Sequence, residues 1–267
     1  MKNFKLTIEY DGSAYHGWQR QAEAPTVQAE IERALGTMTR SSVTLIGAGR
    51  TDAGVHALAQ VANFRCDTRL PPEAILKGLN GLLPADIAIR DCCRVPEGFH
   101  ARFAAMSKRY RYRILNRAAR AAVGRDYAWF IHRPLDTRAM AQATEHLVGR
   151  QDFKAFESAG SPRAHTQRNV MHASWMEEKE RWLTFQIEAD GFLRGMVRNI
   201  VGTLVAVGLG KLDPQEMADI LASRDRRRAG VTAPARGLFL VEVKYEADRK
   251  PDAGLGEKFT LEDGDDR

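Results

Sequence analysis

Cysteine is scarce: the 267-residue chain has three, Cys66, Cys92 and Cys93. An odd count with two adjacent residues makes a poor disulfide framework, and no CxxC pair offers a zinc site. Free, buried thiols in a reducing compartment are the expectation. Long apolar runs are also missing. The most hydrophobic segment, FLRGMVRNIVGTLVAVG (192–208), is broken by Arg194, Arg198 and Asn199, which argues against a membrane span. The opening MKNFKLTIEYDGS alternates like a strand and has no apolar core of a secretory leader, so the cytoplasm is expected.

What is present suits a globular protein, 44% hydrophobic and 28% charged, long enough for one large domain or two smaller ones. The net charge of +6 is unevenly divided: residues 246–267 carry −4 and residues 1–245 carry +10. A solvated surface can be basic without a purpose, yet such a body is also the footprint of a protein that meets phosphate backbones. The acidic tail, 247–267, is expected to be disordered.

Two halves, 1–104 and 105–246, repeat a similar order. The first reads as strand FKLTIEY, helix TVQAEIERALGTM, strands VTLIGAG and QVANFRC, helix PPEAILKGLNGLL and strand IAIRDCCRV. The second reads as strand KRYRYRIL, helix TRAMAQATEHLV, a hairpin of VMHASWMEE with RWLTFQIEA, two helices and strand GLFLVEVKY. Asp136 is placed to cap one helix, and Asp213, Pro214 and Glu216 to start another. The pattern predicts an α+β fold: two β-α-β-β-α-β halves sharing a mostly antiparallel sheet, helices on one face, a cleft between them.

Three segments could share a site. The first is the glycine-rich GAGRTDAGVHALAQV (47–61), which projects Arg50, Thr51 and Asp52 from one end of the sheet. A turn explains Gly and Asp there; alternatively Arg50 keeps an exposed Asp52 carboxylate charged for chemistry. His56 invites a metal reading, but with no second ligand cluster a hydrogen-bonded structural histidine is expected. The second segment, SKRYRYRIL, places Lys108, Tyr110 and Tyr112 on one strand face and Arg109, Arg111 and Arg113 on the other. It reads either as an amphipathic strand or as an aromatic platform for a base with cations for phosphates. The third is the apolar helix, whose stripe runs through Leu193, Met196, Val197, Ile200, Val201 and Leu204. Arg194 and Arg198, one turn apart, must emerge at its flank or meet an acid, with Asp52 a candidate.

Together these segments resemble the tRNA pseudouridine synthase A family. The resemblance rests on YDGSAYHGWQRQ (10–21), TVQAEIERAL (26–35), AGRTDAGVHALAQV (48–61) and LNGLLPADIAI (79–89). It continues in FHARFAAMSKRYRYRI (99–114), FLRGMVRNIVGTLVAVGLG (192–210) and TAPARGLFL (232–240), and so spans nearly everything except the tail. It implies isomerisation of uridine to pseudouridine at positions 38, 39 and 40 in the anticodon stem-loop of tRNA, by a homodimer without metal or organic cofactor. It implies Asp52 as the catalytic aspartate, Tyr110 against the target base, Arg198 as partner of Asp52, and Arg50 near the extruded nucleotide. One departure is Gly195, where relatives commonly carry a larger, often basic residue; inside a helix it would cost about 0.5–1 kcal/mol relative to alanine. Two rivals remain at this level: an inactive tRNA-binding relative, which makes no product, and a metal-dependent hydrolase using Asp52 and His56, which a chelator stops.

Overall fold

The computed structural model describes residues 1–160 and 165–246; the acidic tail, 247–267, lies outside the described residues. The first half contains β1 (Lys2–Tyr10), α1 (Val27–Thr39), β2 (Ile46–Gly47), β3 (His56–Cys66), α2 (Pro72–Leu82) and β4 (Ile87–Val95). The second contains β5 (Ala105–Asn116), β6 (Trp129–Ile131), α3 (Thr137–Glu145), β7 (Gly149–Asp152), β8 (Gln167–Glu177) and β9 (Trp182–Ala189). It ends with α4 (Met196–Gly208), α5 (Glu216–Ser223) and β10 (Leu238–Tyr245).

All ten strands join one sheet, ordered β4-β1-β3-β10-β5-β9-β8-β7, with β2 beside β3 and β6 beside β5. The pairings are antiparallel except β10 with β3 and β5 with β6. On the central β5, Tyr110, Tyr112 and Ile114 are buried while Arg109, Arg111 and Arg113 stay partly exposed, so the apolar core lies on one side of the sheet.

Local signals explain most elements. Thr26 caps α1 by accepting from Ala29 N, and Ile31, Ala34 and Leu35 give the helix its buried stripe. Asp136 Oδ1 accepts from Ala139 N at 2.9 Å to cap α3. The Asp213 N–H donates to Glu216 Oε2 at 2.7 Å while Asp213 Oδ1 accepts from Gln215 N, the reciprocal pattern expected at the start of α5. Helix α4 buries eleven of its thirteen residues and is the central helix of its half.

Two expectations need correction. The strand expected over VTLIGAG shrinks to two residues, because α1 side chains take the backbone of Leu45: its N–H donates to Glu32 Oε1 and its carbonyl accepts from Gln28 Nε2. Of the three thiols, Cys66 is buried but Cys92 and Cys93 are only half-buried.

The two halves meet at β10. Leu240 pairs with Ala57 of β3 on one side and with Tyr110 of β5 on the other. With strands about 4.8 Å apart, this puts the start of β3 and Tyr110 on one level, roughly 10 Å from each other.

Candidate active site

Residues 48–55, between β2 and β3, are held from both sides. Ala48 N donates to Val61 O at 2.7 Å, and Gln60 Nε2 to Gly49 O at 3.0 Å. From the other side, the end of β1 and the segment after it wrap the loop: Trp18 N donates to Thr51 O at 3.1 Å, and the Tyr10 hydroxyl bonds Thr51 Oγ1 at 2.8 Å. Two glycines permit this contact. Gly17 has φ +91°, and a Cβ there would lie 2.5 Å from Thr51 O; a Cβ on Gly12 would collide with the Val55 carbonyl. The loop is therefore buttressed backbone against backbone, with Asp52 at its tip and its side chain about one-third exposed.

Helix α4 supplies the partner. Arg198, in its first turn, donates from Nη1 to Asp52 Oδ2 at 3.2 Å and from Nε to Ala233 O at 2.8 Å, while Ala233 N donates back to Arg198 O. Two fixed acceptors define the guanidinium plane, as a lysine could not. The pair is partly solvated, so it contributes at most about 1 kcal/mol to stability; its effect is to orient the carboxylate.

Tyr110 lies on β5, level across β10 with the start of β3. It is buried, its ring meets Phe192 edge-on at 4.9 Å, and its hydroxyl has no hydrogen bond among the described residues. Burial raises its pKa, with Tyr10 and Asp52 adding smaller contributions, so the hydroxyl lies within electrostatic reach of the Asp52 carboxylate. Tyr112 is spent on structure: it is fully buried and donates to Pro234 O at 2.7 Å.

Arg50 is exposed and, among the described residues, makes no hydrogen bond or ion pair; the cation that meets Asp52 is Arg198, not Arg50. Arg194 is not on the helix with Arg198: it precedes α4 and donates to Ala159 O at 3.1 Å. Gly195 likewise lies outside the helical turns, as the N-cap with φ +68°, and a side chain there would strike Ser158. The left-handed backbone is its reason, and the helix-interior penalty does not apply. His56 is buried, its Nδ1 lies 3.0 Å from Asp11 Oδ1 and its ring stacks on Phe239 at 4.7 Å. Burial lowers its pKa against the pull of Asp11. No group of three or more metal-ligating side chains occurs among the described residues.

Four residues shape the site without having been singled out. Phe192 backs Tyr110, Ala233 holds Arg198, and Trp18 closes the loop over Gly47. Asn199 is fully buried and bonds Phe156 O, Arg226 and Thr232.

Comparison with known proteins adds the following. A family profile described as tRNA pseudouridine synthase matches residues 6–104 and 143–246. A protein named tRNA pseudouridine synthase A from Thermoanaerobacter sp. (strain X514) is 47% identical over 92% of this chain and 100% of its own length. Proteins of the same name from Acetivibrio thermocellus and Myxococcus xanthus are 48% and 44% identical, over 92% of this chain and 100% and 92% of theirs.

Proposed function

Because the chain belongs to the tRNA pseudouridine synthase family and so isomerises uridine in tRNA, we propose that it acts at positions 38, 39 and 40 of the anticodon stem-loop, with Asp52 starting the reaction. The reaction breaks the bond between C1′ and N1, turns the uracil and joins C1′ to C5. The C5 hydrogen leaves and N1 gains a proton, so product and substrate are isomers. A carboxylate initiates this as nucleophile or as base. A uridine in a stem must leave the stack to reach it.

Arg198 holds the carboxylate, the Tyr110 ring packs on the extruded base, and the unpaired Arg50 occupies space vacated by the flipped nucleotide. Halves 1–104 and 105–246 are the two walls of the cleft, and the active species is a homodimer. The observation that carries the reading is the Asp52–Arg198 contact, with Tyr110 in electrostatic reach of Asp52, in a chain of this family. It is tested by mapping pseudouridine in unmodified tRNA treated with the protein. Product absent from 38–40 but present elsewhere refutes the proposed positions.

A further inference from the structure

Lys108, two residues from Tyr110, lies within electrostatic range of two arginines from other segments, Arg102 and Arg168. It precedes Tyr110 on β5, so both side chains point to the same face of the sheet. The Lys108 methylenes cross the Asp52 loop at Gly49, where a Cβ would sit 3.3 Å from Cε. Arg102, in the exposed turn before β5, has its guanidinium over the Phe103 ring, and Arg168, at the start of β8, lies across Gly191, 3.3 Å from where a Cβ would be. Burial lowers the Lys108 pKa, repulsion from Arg102 and Arg168 lowers it further, and Asp190 opposes them.

Among the described residues Lys108 has no hydrogen bond and no ion pair. The opposite face of the same strand is treated differently. There Arg109 pairs with Glu188 and Glu242, and Lys244 meets Glu188 at 2.8 Å. A half-buried ammonium crowded by two guanidinium groups is costly to keep unless an anion arrives. An anion that meets the Lys108 ammonium would sit beside Gly49 of the Asp52 loop. Two strand residues span about 7 Å, the scale of one nucleotide.

We propose that Lys108, flanked by Arg102 and Arg168, binds a backbone phosphate adjoining the flipped uridine and so fixes its sugar relative to Asp52. This rests on the functional reading above. It makes Lys108 a substrate-binding residue that acts before any bond changes.

The test uses the full chain and anticodon stem-loop RNAs carrying one neutral methylphosphonate, 5′ or 3′ of the target uridine. With ordinary RNA, Lys108→Gln raises KM about tenfold, more than it lowers kcat, and reduces the salt slope of binding by about one. Lys108→Arg recovers most of the loss. One methylphosphonate position weakens the wild-type protein but costs Lys108→Gln nothing further. A folded Lys108→Gln with unchanged KM and salt slope, or with the full methylphosphonate penalty, overturns the site. Should that variant not fold, the exposed Arg102→Gln is read in the same cycle, and strict additivity with both methylphosphonates overturns it. These outcomes are separate from the functional reading, which fails if the wild-type protein makes no pseudouridine; the cycle is then read on RNA affinity.

Discussion

Arg198 closes on Asp52 from 146 positions away in the chain, Nη1 to Oδ2 at 3.2 Å, while the Ala233 carbonyl holds its Nε. The carboxylate is thereby aimed by α4, an element of the second half of the chain. Asp52→Asn keeps the shape and removes the charge, so folding and tRNA affinity survive and turnover does not. Asp52→Glu shifts the carboxylate by about 1 Å, which costs on the order of 10²-fold. Pseudouridine is counted over several wild-type half-lives; substantial product from the amide variant, with deamidation excluded, removes Asp52 from its role.

Arg198→Lys separates orientation from charge. A lysine cannot serve both the Asp52 carboxylate and the Ala233 carbonyl in one plane. We expect kcat to fall by roughly 10- to 100-fold, with tRNA affinity within a few-fold and the melting temperature lowered by a few degrees at most. A kcat within twofold of wild type means the fork is not needed.

For Tyr110 the hydroxyl and the ring give different expectations. The hydroxyl has no partner among the described residues, so Tyr110→Phe folds normally and keeps the stacking surface. Tyr110→Ala loses most turnover, since base stacking is worth about 1–3 kcal/mol. It also loses stability, because the ring fills core space against Phe192. Calorimetry separates the two losses, and near-normal turnover by Tyr110→Ala would falsify the platform role.

Gly17→Ala tests the buttress. The added methyl would face Thr51 O at 2.5 Å in a backbone of φ +91°. A loss of about 1–3 kcal/mol is expected from the strain alone, with activity falling further because the Asp52 loop shifts. A variant as stable and active as wild type would show that the loop tolerates movement.

A body carrying +10 should bind tRNA with a steep salt dependence. Affinity is expected to fall by orders of magnitude between about 50 and 200 mM salt. A flat response makes the basic excess decorative.

The fold was legible where periodicity is long and bounded. β4 has the expected limits, Ile87–Val95, and Asp136 caps α3 as expected, whereas Thr26, read as the first residue of its helix, is the N-cap. The three-residue β6 and four-residue β7 were missed because strands that short carry no period. Gly195 was misread since sequence alone does not distinguish a glycine inside a helix from one that starts it with φ +68°. At the site, an arginine in an apolar helix signals an acidic neighbour, so Arg198 and Asp52 could be considered together. Phe192 and Ala233 act through a packed ring and a backbone carbonyl, neither of which has a residue-type signature.

Strand β10, lodged between β3 and β5, is the last of the described strands to leave the ribosome. Until Leu238–Tyr245 is made, Ala57 and Tyr110 have no shared strand between them, and the Asp52 loop meets the second half through side-chain contacts such as those of Arg198 and Lys108. Joining β3 to β5 in one sheet therefore waits for a long-range closure, the slow kind of step in folding. A chain interrupted before Leu238 would carry Asp52, Tyr110 and Arg198 but lack the strand that sets β3 and β5 in register.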